Sequence, residues 1–161
     1  MGRARTLRLT IALTATLASP ACISVPRDSH GALDRIGGGV LRAGAVQNPP
    51  SIVVDGRAVS GTEAQLLEDW ASQLGARVEW RPGALDELVE ALHRREIDVL
   101  AAGLHQKTPY ASKLSLTQPY VEAEDARGKT QRFVLAVTPG ESALLFNLDR
   151  FLAARGRATQ P

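Results

Sequence analysis

The sequence predicts an α/β fold with a parallel-rich sheet covered by helices, and two observations support this prediction. Short apolar runs that end in Gly or Pro alternate with amphipathic stretches of ten or more residues, in the order β-α-β-α-β. The run "IDVLAAGL" (97–104) is apolar almost throughout, as a strand covered on both faces requires. Strands joined through helices in this way are expected to lie parallel to one another.

Each predicted element has its own local signal. "VLRAGAV" (40–46) predicts a strand that the following Pro49-Pro50 pair ends. An Asp-Gly turn between apolar pairs in "SIVVDGRAV" (51–59) is typical of a hairpin. Apolar residues at spacings of three and four predict the helices. The full set comprises strands at 40–46, 77–80, 97–104 and 132–137, a hairpin over 51–59, and helices over 62–74, 84–95 and 141–154.

The N-terminus has the pattern of a secretory signal. Three arginines precede an apolar run (9–18) that is too short to span a bilayer, and small residues follow it. We therefore expect residues 1–22 to direct export to the periplasm or the cell envelope. Cys22, the only cysteine, leaves two alternatives open: ordinary signal cleavage, or lipidation of Cys22 as in a bacterial lipoprotein. Only the second alternative would bring the protein to a membrane.

The rest of the chain is expected to form one domain. Residues 23–39 mix polar residues with Pro and Gly, which predicts a leader or tether. The predicted elements fill a single lobe over residues 40–155, and residues 156–161 are expected to form a frayed tail.

Composition argues against several functional classes. The signal segment contains three of the positive charges, so the net charge falls from +2 to about −1 once it is removed. A net charge near zero gives no support for nucleic-acid binding, which needs a clustered basic patch. No group of His, Cys, Asp and Glu has the spacing of metal ligands, and no cofactor motif is present. A lone histidine without a nucleophile or carboxylate partner does not predict an enzyme.

Candidate ligand-binding residues follow two of the predicted strands. Ligands of open α/β sheets bind outside the carboxyl ends of the strands, and there the sequence has "QNPPS" (47–51) and the unusually polar loop "HQKTPY" (105–110). These loops converge if their strands are neighbours. The candidate residues are Asn48, Ser51, His105, Gln106, Lys107, Thr108 and Tyr110.

At this level of detail the chain resembles a known family. "GGVLRAGAVQNPP", "DGRAVSG", "REIDVLAAGL" and "LTQPY" occur in the order found in the first lobe of bacterial extracellular solute-binding proteins of family 3, over about residues 38–121. "RFVLAVTPGESALLFNLDRFL" (132–152) resembles the strand and helix with which the family's chain returns to that lobe. The resemblance implies a periplasmic-binding-protein-like lobe.

The chain departs from the family pattern in two ways. Only about ten residues separate Tyr120 from Arg132, where the family has a whole second lobe. The family's loop after "A-G-L" has a "T-x-T-P-E-R" pattern, whose arginine holds the carboxylate of the ligand. Here that arginine position falls on Tyr110 or, with one inserted residue, on Ala111.

The resemblance implies an exported protein that binds a small amino-acid-like solute for an ABC importer, so that a solute and an ABC permease are the expected partners. An alternative is a single-lobe interaction module that contacts a membrane or envelope partner without a ligand of its own. A third class remains open, since the fold also occurs in lyases and in sensory domains of peptidoglycan-cleaving proteins, and fold alone does not decide function.

Overall fold

The structure is a computed structural model that describes residues 26–124 and 128–158. Segment 1–22, with Cys22, lies outside the described residues. The strands are β1 (Val40–Ala45), β2 (Val53–Asp55), β3 (Ala58–Ser60), β4 (Arg77–Pro82), β5 (Val99–His105), β6 (Ser115–Leu116), β7 (Val121–Glu124) and β8 (Thr130–Val137). The helices are α1 (Ala32–Ile36), α2 (Thr62–Gln73), α3 (Leu85–His93) and α4 (Ser142–Ala158).

The main sheet has the strand order β4-β1-β5-β8-β6, and β7 also pairs with β8. β1 lies parallel to both β4 and β5, whereas β8 is antiparallel to β5. Helices α2 and α3 form the crossover connections that parallel neighbours require. β2 and β3 form a separate antiparallel hairpin. The predicted α/β class with a parallel-rich sheet is confirmed.

The sheet is covered on both faces. β5 shows the division most clearly, because Val99 and Ala101 pack into the core beneath α1, α2 and α4, whereas Leu100 and Leu104 pack into the core beneath α3. Burial of one aliphatic side chain contributes about 1.5–3 kcal/mol, so both faces favour apolar residues here. Two-sided burial explains why the run at 97–104 lacks the alternation of a half-exposed strand.

Residues 28–39, expected to belong to a tether, fold against the lobe. Asp28 accepts hydrogen bonds from the backbone N–H groups of Leu33 and Leu144, each at 2.8 Å. One carboxylate therefore caps the first turns of both α1 and α4, where N–H groups lack partners within the helix and the helix dipole favours a negative charge. The assignment of 23–39 to a leader does not hold from Asp28 onward, because polar residues there are bonded to the fold.

Two further polar stretches are more regular than predicted. α4 continues to Ala158, so part of the predicted tail at 156–161 is helical. The segment after Tyr120 contains β7, which pairs with the first half of β8 from Val121↔Phe133 to Glu124↔Thr130. All four residues of β7 are exposed, so this strand has no buried apolar face, although its sequence Val-Glu-Ala-Glu alternates apolar and charged residues. Among the described helices, none is both long and apolar enough to cross a membrane.

The double cap at Asp28 leads to a stability prediction. Replacing Asp28 by Ala removes acceptors from two helix termini and should lower the free energy of unfolding by about 1–3 kcal/mol, since one cap contributes about 0.5–2 kcal/mol. Urea denaturation followed by circular dichroism measures the change. The control Asp34→Ala, which removes an exposed carboxylate from the same helix, should have an effect below about 1 kcal/mol. Equal effects of the two substitutions would contradict the capping role.

Candidate functional site

The loops after β1 and β5 meet at the carboxyl edge of the sheet. β1 and β5 are parallel neighbours, as the prediction of converging loops required. The register of β5 shifts between Leu100 and Leu104, and Gly103 within this bulge has a φ of 58°. A Cβ on Gly103 would lie 1.6 Å from Asn48 Nδ2, so the absence of a side chain allows the Asn48 amide to pack directly on the β5 backbone.

A buried carboxylate fixes this bulge. Glu63, in the first turn of α2, is 0% exposed, and its Oε2 accepts a hydrogen bond from the Gly103 N–H at 3.1 Å. The hydroxyl of Tyr120 donates to Glu63 Oε1. The backbone N–H of Glu63 in turn donates to the Ser51 carbonyl at 3.0 Å. One residue therefore connects α2, the loop after β1, the end of β5 and the start of β7.

Burial changes the acid–base properties of this group. Desolvation raises the pKa of the Glu63 carboxyl above its ordinary value of 4.5, although the hydrogen bonds from Tyr120 and Gly103 oppose the shift. Burial, together with the neighbouring Glu63 carboxylate, also raises the pKa of the Tyr120 hydroxyl. The hydroxyl therefore remains protonated at neutral pH and is available as a donor.

Four of the predicted site residues make contacts that support the loops themselves. Ser51 contributes its carbonyl to Glu63, as described above. Thr108 is buried in a turn, where its N–H donates to the His105 carbonyl at 2.8 Å. The Tyr110 hydroxyl donates to the carboxylate of Asp86 on α3, and this hydrogen bond raises the pKa of Tyr110. With Asn48 on Gly103, these residues shape the loops around the site.

The other three predicted residues line a cavity of about 330 Å³. His105, Gln106 and Lys107 form one side of it, immediately after β5. The hairpin formed by β7 and β8 provides the other side, with Glu122, Lys129, Thr130, Gln131 and Arg132. Of the residues that line this cavity, the sequence prediction named the three that follow β5 and none of those on the hairpin.

The hairpin occupies the place where the family pattern has a second lobe. The loop after β5 is joined to it by a hydrogen bond from the Gln106 N–H to the Arg132 carbonyl, at 2.9 Å. The rings of His105 and Phe133 lie 6.2 Å apart between centroids. The short link between Tyr120 and Arg132 thus gives the single lobe a wall at the carboxyl edge of the sheet.

The hairpin also brings an arginine to the cavity. Arg132 Nε lies 2.7 Å from Glu122 Oε1, and both side chains are more than half exposed. The guanidinium absent from the loop at 105–110 is therefore present on the opposite side. Sequence comparison alone did not identify it, because Arg132 matches the returning strand and not the loop. Within the described residues, no group of three His, Cys, Asp or Glu side chains could hold a metal ion.

Comparison with known families agrees with the resemblance found in the sequence. The sequence pattern of the bacterial extracellular solute-binding proteins, family 3, matches residues 41–156. The chain belongs to this family. The match extends through the hairpin and α4, so the strand and helix of the return segment are part of the family likeness, as the sequence indicated.

Curated relatives of this family-3 lobe include cell-wall proteins. Membrane-bound lytic murein transglycosylase F of Vibrio cholerae serotype O1 is 38% identical over 69 residues, which are 42% of this chain and 13% of the relative. The protein of the same name from Idiomarina loihiensis is 34% identical over 82 residues, or 50% of this chain and 18% of the relative. The matched region is therefore less than a fifth of the length of either relative.

Solved structures of amino-acid-binding proteins have the same fold. A mutant of the arginine-bound form of domain 1 from TmArgBP superposes with a TM-score of 0.68 at 25% identity, covering 78% of this chain and 99% of that one. The ancestral cationic amino acid solute-binding protein AncCDT-1 has a TM-score of 0.68 at 16% identity, covering 78% of this chain and 94% of that one. The predicted single lobe agrees with the match to one domain of a binding protein.

The contact at Gly103 predicts a specific clash. Gly103→Ala adds a Cβ that overlaps the Asn48 amide, and it also places a non-glycine residue at positive φ. The control Gly56→Ala has a similar φ of 60° but no atom within 4 Å of the added Cβ. We expect the control to lose about 1 kcal/mol and Gly103→Ala to lose 1–3 kcal/mol more. Urea denaturation compares the two variants, and equal losses would contradict the close contact.

The raised pKa of Glu63 predicts a pH dependence of stability. A carboxyl with a raised folded-state pKa binds its proton more tightly in the folded state, so its contribution is complete below the unfolded value of about 4.5 and is lost as pH rises through the folded value. Glu63→Gln keeps a donor and an acceptor without a titrating charge. Above pH 4.5 the wild-type protein should therefore lose stability relative to Glu63→Gln.

Urea denaturation between pH 4 and 8 measures this difference. The control Glu68→Gln, exposed on the same helix, should follow the wild-type curve. Parallel curves for wild type and Glu63→Gln over the whole range would show that the carboxyl is not shifted as described.

Proposed function

We propose that this chain is an exported, single-lobe solute-binding protein that takes a small, amino-acid-like solute into the cavity between the loop at 105–107 and the β7–β8 hairpin. The observation that supports the proposal most strongly is the position of the cavity. It lies at the carboxyl end of β5, where α/β sheets bind ligands, and its volume of about 330 Å³ lies within the range of small-molecule sites.

The charges of the cavity favour a solute with a carboxylate. Among the described residues that line the cavity, Lys107, Lys129 and Arg132 are cationic and Glu122 is the one carboxylate. A guanidinium donates two parallel charge-assisted hydrogen bonds to a carboxylate, and an ammonium group acts as a point charge for it. An amino acid presents such a carboxylate whatever its side chain.

A single lobe, without a second lobe to close over it, is a reasonable unit for binding a solute. The arginine-bound form of domain 1 from TmArgBP is a single domain of similar size, almost all of which this chain covers. An open lobe buries less of a solute than two lobes that close around it, so we expect weak affinity unless another protein covers the cavity. Delivery of the solute to an ABC permease belongs to this proposal.

The murein transglycosylase relatives favour a second candidate function. Their likeness to this chain over 69 to 82 residues suggests a module that works beside cell-wall enzymes in the envelope. In this role the lobe would contact an envelope partner and need no transported solute. The two functions differ in what stabilises the protein, which is a small solute in the first case and an envelope partner in the second.

A thermal-shift screen of the protein without residues 1–22 tests the first function. An amino acid or small carboxylate at about ten times its Kd should raise the Tm by about 3–6 °C, because it binds only the folded state. Lys107→Met should abolish the shift. Lys113→Met, which changes an exposed lysine outside the cavity, should retain it.

Two results would contradict the proposal. A shift that survives in Lys107→Met would place the solute outside this cavity. No shift with any small solute, together with a shift on addition of peptidoglycan fragments or an envelope protein, would favour the second candidate.

A further inference from the structure

β8 extends beyond the end of β5 at the cavity. The last paired residues are His105 and Phe133, and one further hydrogen bond joins Gln106 N–H to the Arg132 carbonyl at 2.9 Å. The loop then turns back on itself, because Thr108 N–H donates to the His105 carbonyl. The start of β8 at Thr130 therefore lies beyond the last pairing with the β5 side within the described chain.

The backbone of Thr130 faces this open side. In an antiparallel strand, alternate residues direct both N–H and C=O to the same neighbour. Phe133 directs its carbonyl to the β7 side, where it accepts from the Tyr120 N–H at 3.0 Å, whereas Arg132 directs its carbonyl to Gln106. By the same alternation, the N–H and C=O of Thr130 point to the β5 side, into the cavity that Thr130 lines.

The cavity thus combines an open strand edge with a basic lining. An exposed edge offers main-chain hydrogen bonds to an added extended segment. Lys107 has no ion-pair partner among the described residues, and Arg132 shares the single lining carboxylate, Glu122. Backbone groups in line with a strand, next to excess positive charge, are complementary to an extended peptide with a terminal carboxylate.

We propose that the cavity binds a short peptide with a free carboxyl terminus, whose backbone pairs with Thr130 in the line of β5 and whose carboxylate contacts Lys107. This inference rests on the proposed function, because it uses the same cavity, and it specifies the class of solute. A cavity of about 330 Å³ suits two or three small residues.

Electrostatics favours a peptide over a free amino acid. A free amino acid has an ammonium group next to its carboxylate, and where the carboxylate contacts Lys107 that ammonium would lie close to the same lysine. In a tripeptide each residue moves the ammonium about 3.3 Å further from the carboxylate, so the repulsion weakens. The peptide units between the two termini supply C=O and N–H groups that can pair with the N–H and C=O of Thr130.

Isothermal titration calorimetry with three probes tests this inference on the wild-type protein. The probes are Ala-Ala-Ala, its C-terminal amide, and free alanine. We expect Ala-Ala-Ala to bind at least tenfold more tightly than either of the others, since the amide lacks the charge-assisted contact and alanine lacks the strand pairing.

A pair of variants isolates the strand pairing. Thr130→Pro removes the N–H that faces the cavity and leaves the N–H groups bonded to β7 in place, so it should weaken binding of Ala-Ala-Ala about 3–10-fold. Thr130→Val keeps the N–H, so its loss of affinity should be clearly smaller than that of Thr130→Pro. Thermal denaturation of both variants shows whether the hairpin remains folded, and the three-probe comparison on the wild type does not depend on either variant.

The outcomes separate this inference from the proposed function. Equal affinity for alanine and Ala-Ala-Ala, or equal binding of Ala-Ala-Ala by folded Thr130→Pro and Thr130→Val, overturns the peptide inference. No binding of Ala-Ala-Ala at millimolar concentration overturns it as well. The proposed function fails only if the thermal-shift screen also finds no solute whose effect depends on Lys107.

Discussion

The arrangement of the loops at the carboxyl edge of the sheet depends on one buried carboxylate. Glu63 is fully buried at the start of α2 and bonds to the N–H of Gly103 and the hydroxyl of Tyr120. Without this acceptor, both half-buried donors would lose a partner, at up to about 1–3 kcal/mol each. Burial of an acidic group is unfavourable by itself, and the raised pKa of Glu63 reflects this.

Glu63 joins the two segments that form the sides of the cavity. Gly103 precedes the loop that forms one side of the cavity, and Tyr120 precedes β7, which supports the other side. The cavity therefore lies between two segments that leave the same anchor. The hairpin gives the single lobe a wall of its own. A family member with this short connection therefore still has a cavity at the carboxyl edge of its sheet.

Much of the fold was predictable because its elements have buried faces. The apolar run at 97–104 predicted a central strand, and the Asp-Gly turn predicted the hairpin of β2 and β3. The wall of the cavity was not predictable, because β7 is exposed throughout and has no buried apolar face. Glu63 was missed for a related reason. An acidic residue in the first turn of a helix is ordinary in sequence, and only the tertiary contact with Gly103 and Tyr120 makes it a buried anchor. Tyr110, predicted from the sequence to contact the ligand, donates its hydroxyl to Asp86, a pairing that no local sequence pattern indicates.

The central claim is that the solute lies between the loop after β5 and the hairpin. The most direct measurement is a nuclear magnetic resonance titration of the ¹⁵N-labelled protein with amino acids and short peptides, followed residue by residue. The account predicts that chemical-shift changes concentrate at 105–107 and 130–132, with smaller changes at Gly103 through the shared anchor. Changes concentrated instead around Leu66 and Leu152, which line a larger and more apolar depression beside α4, would contradict it.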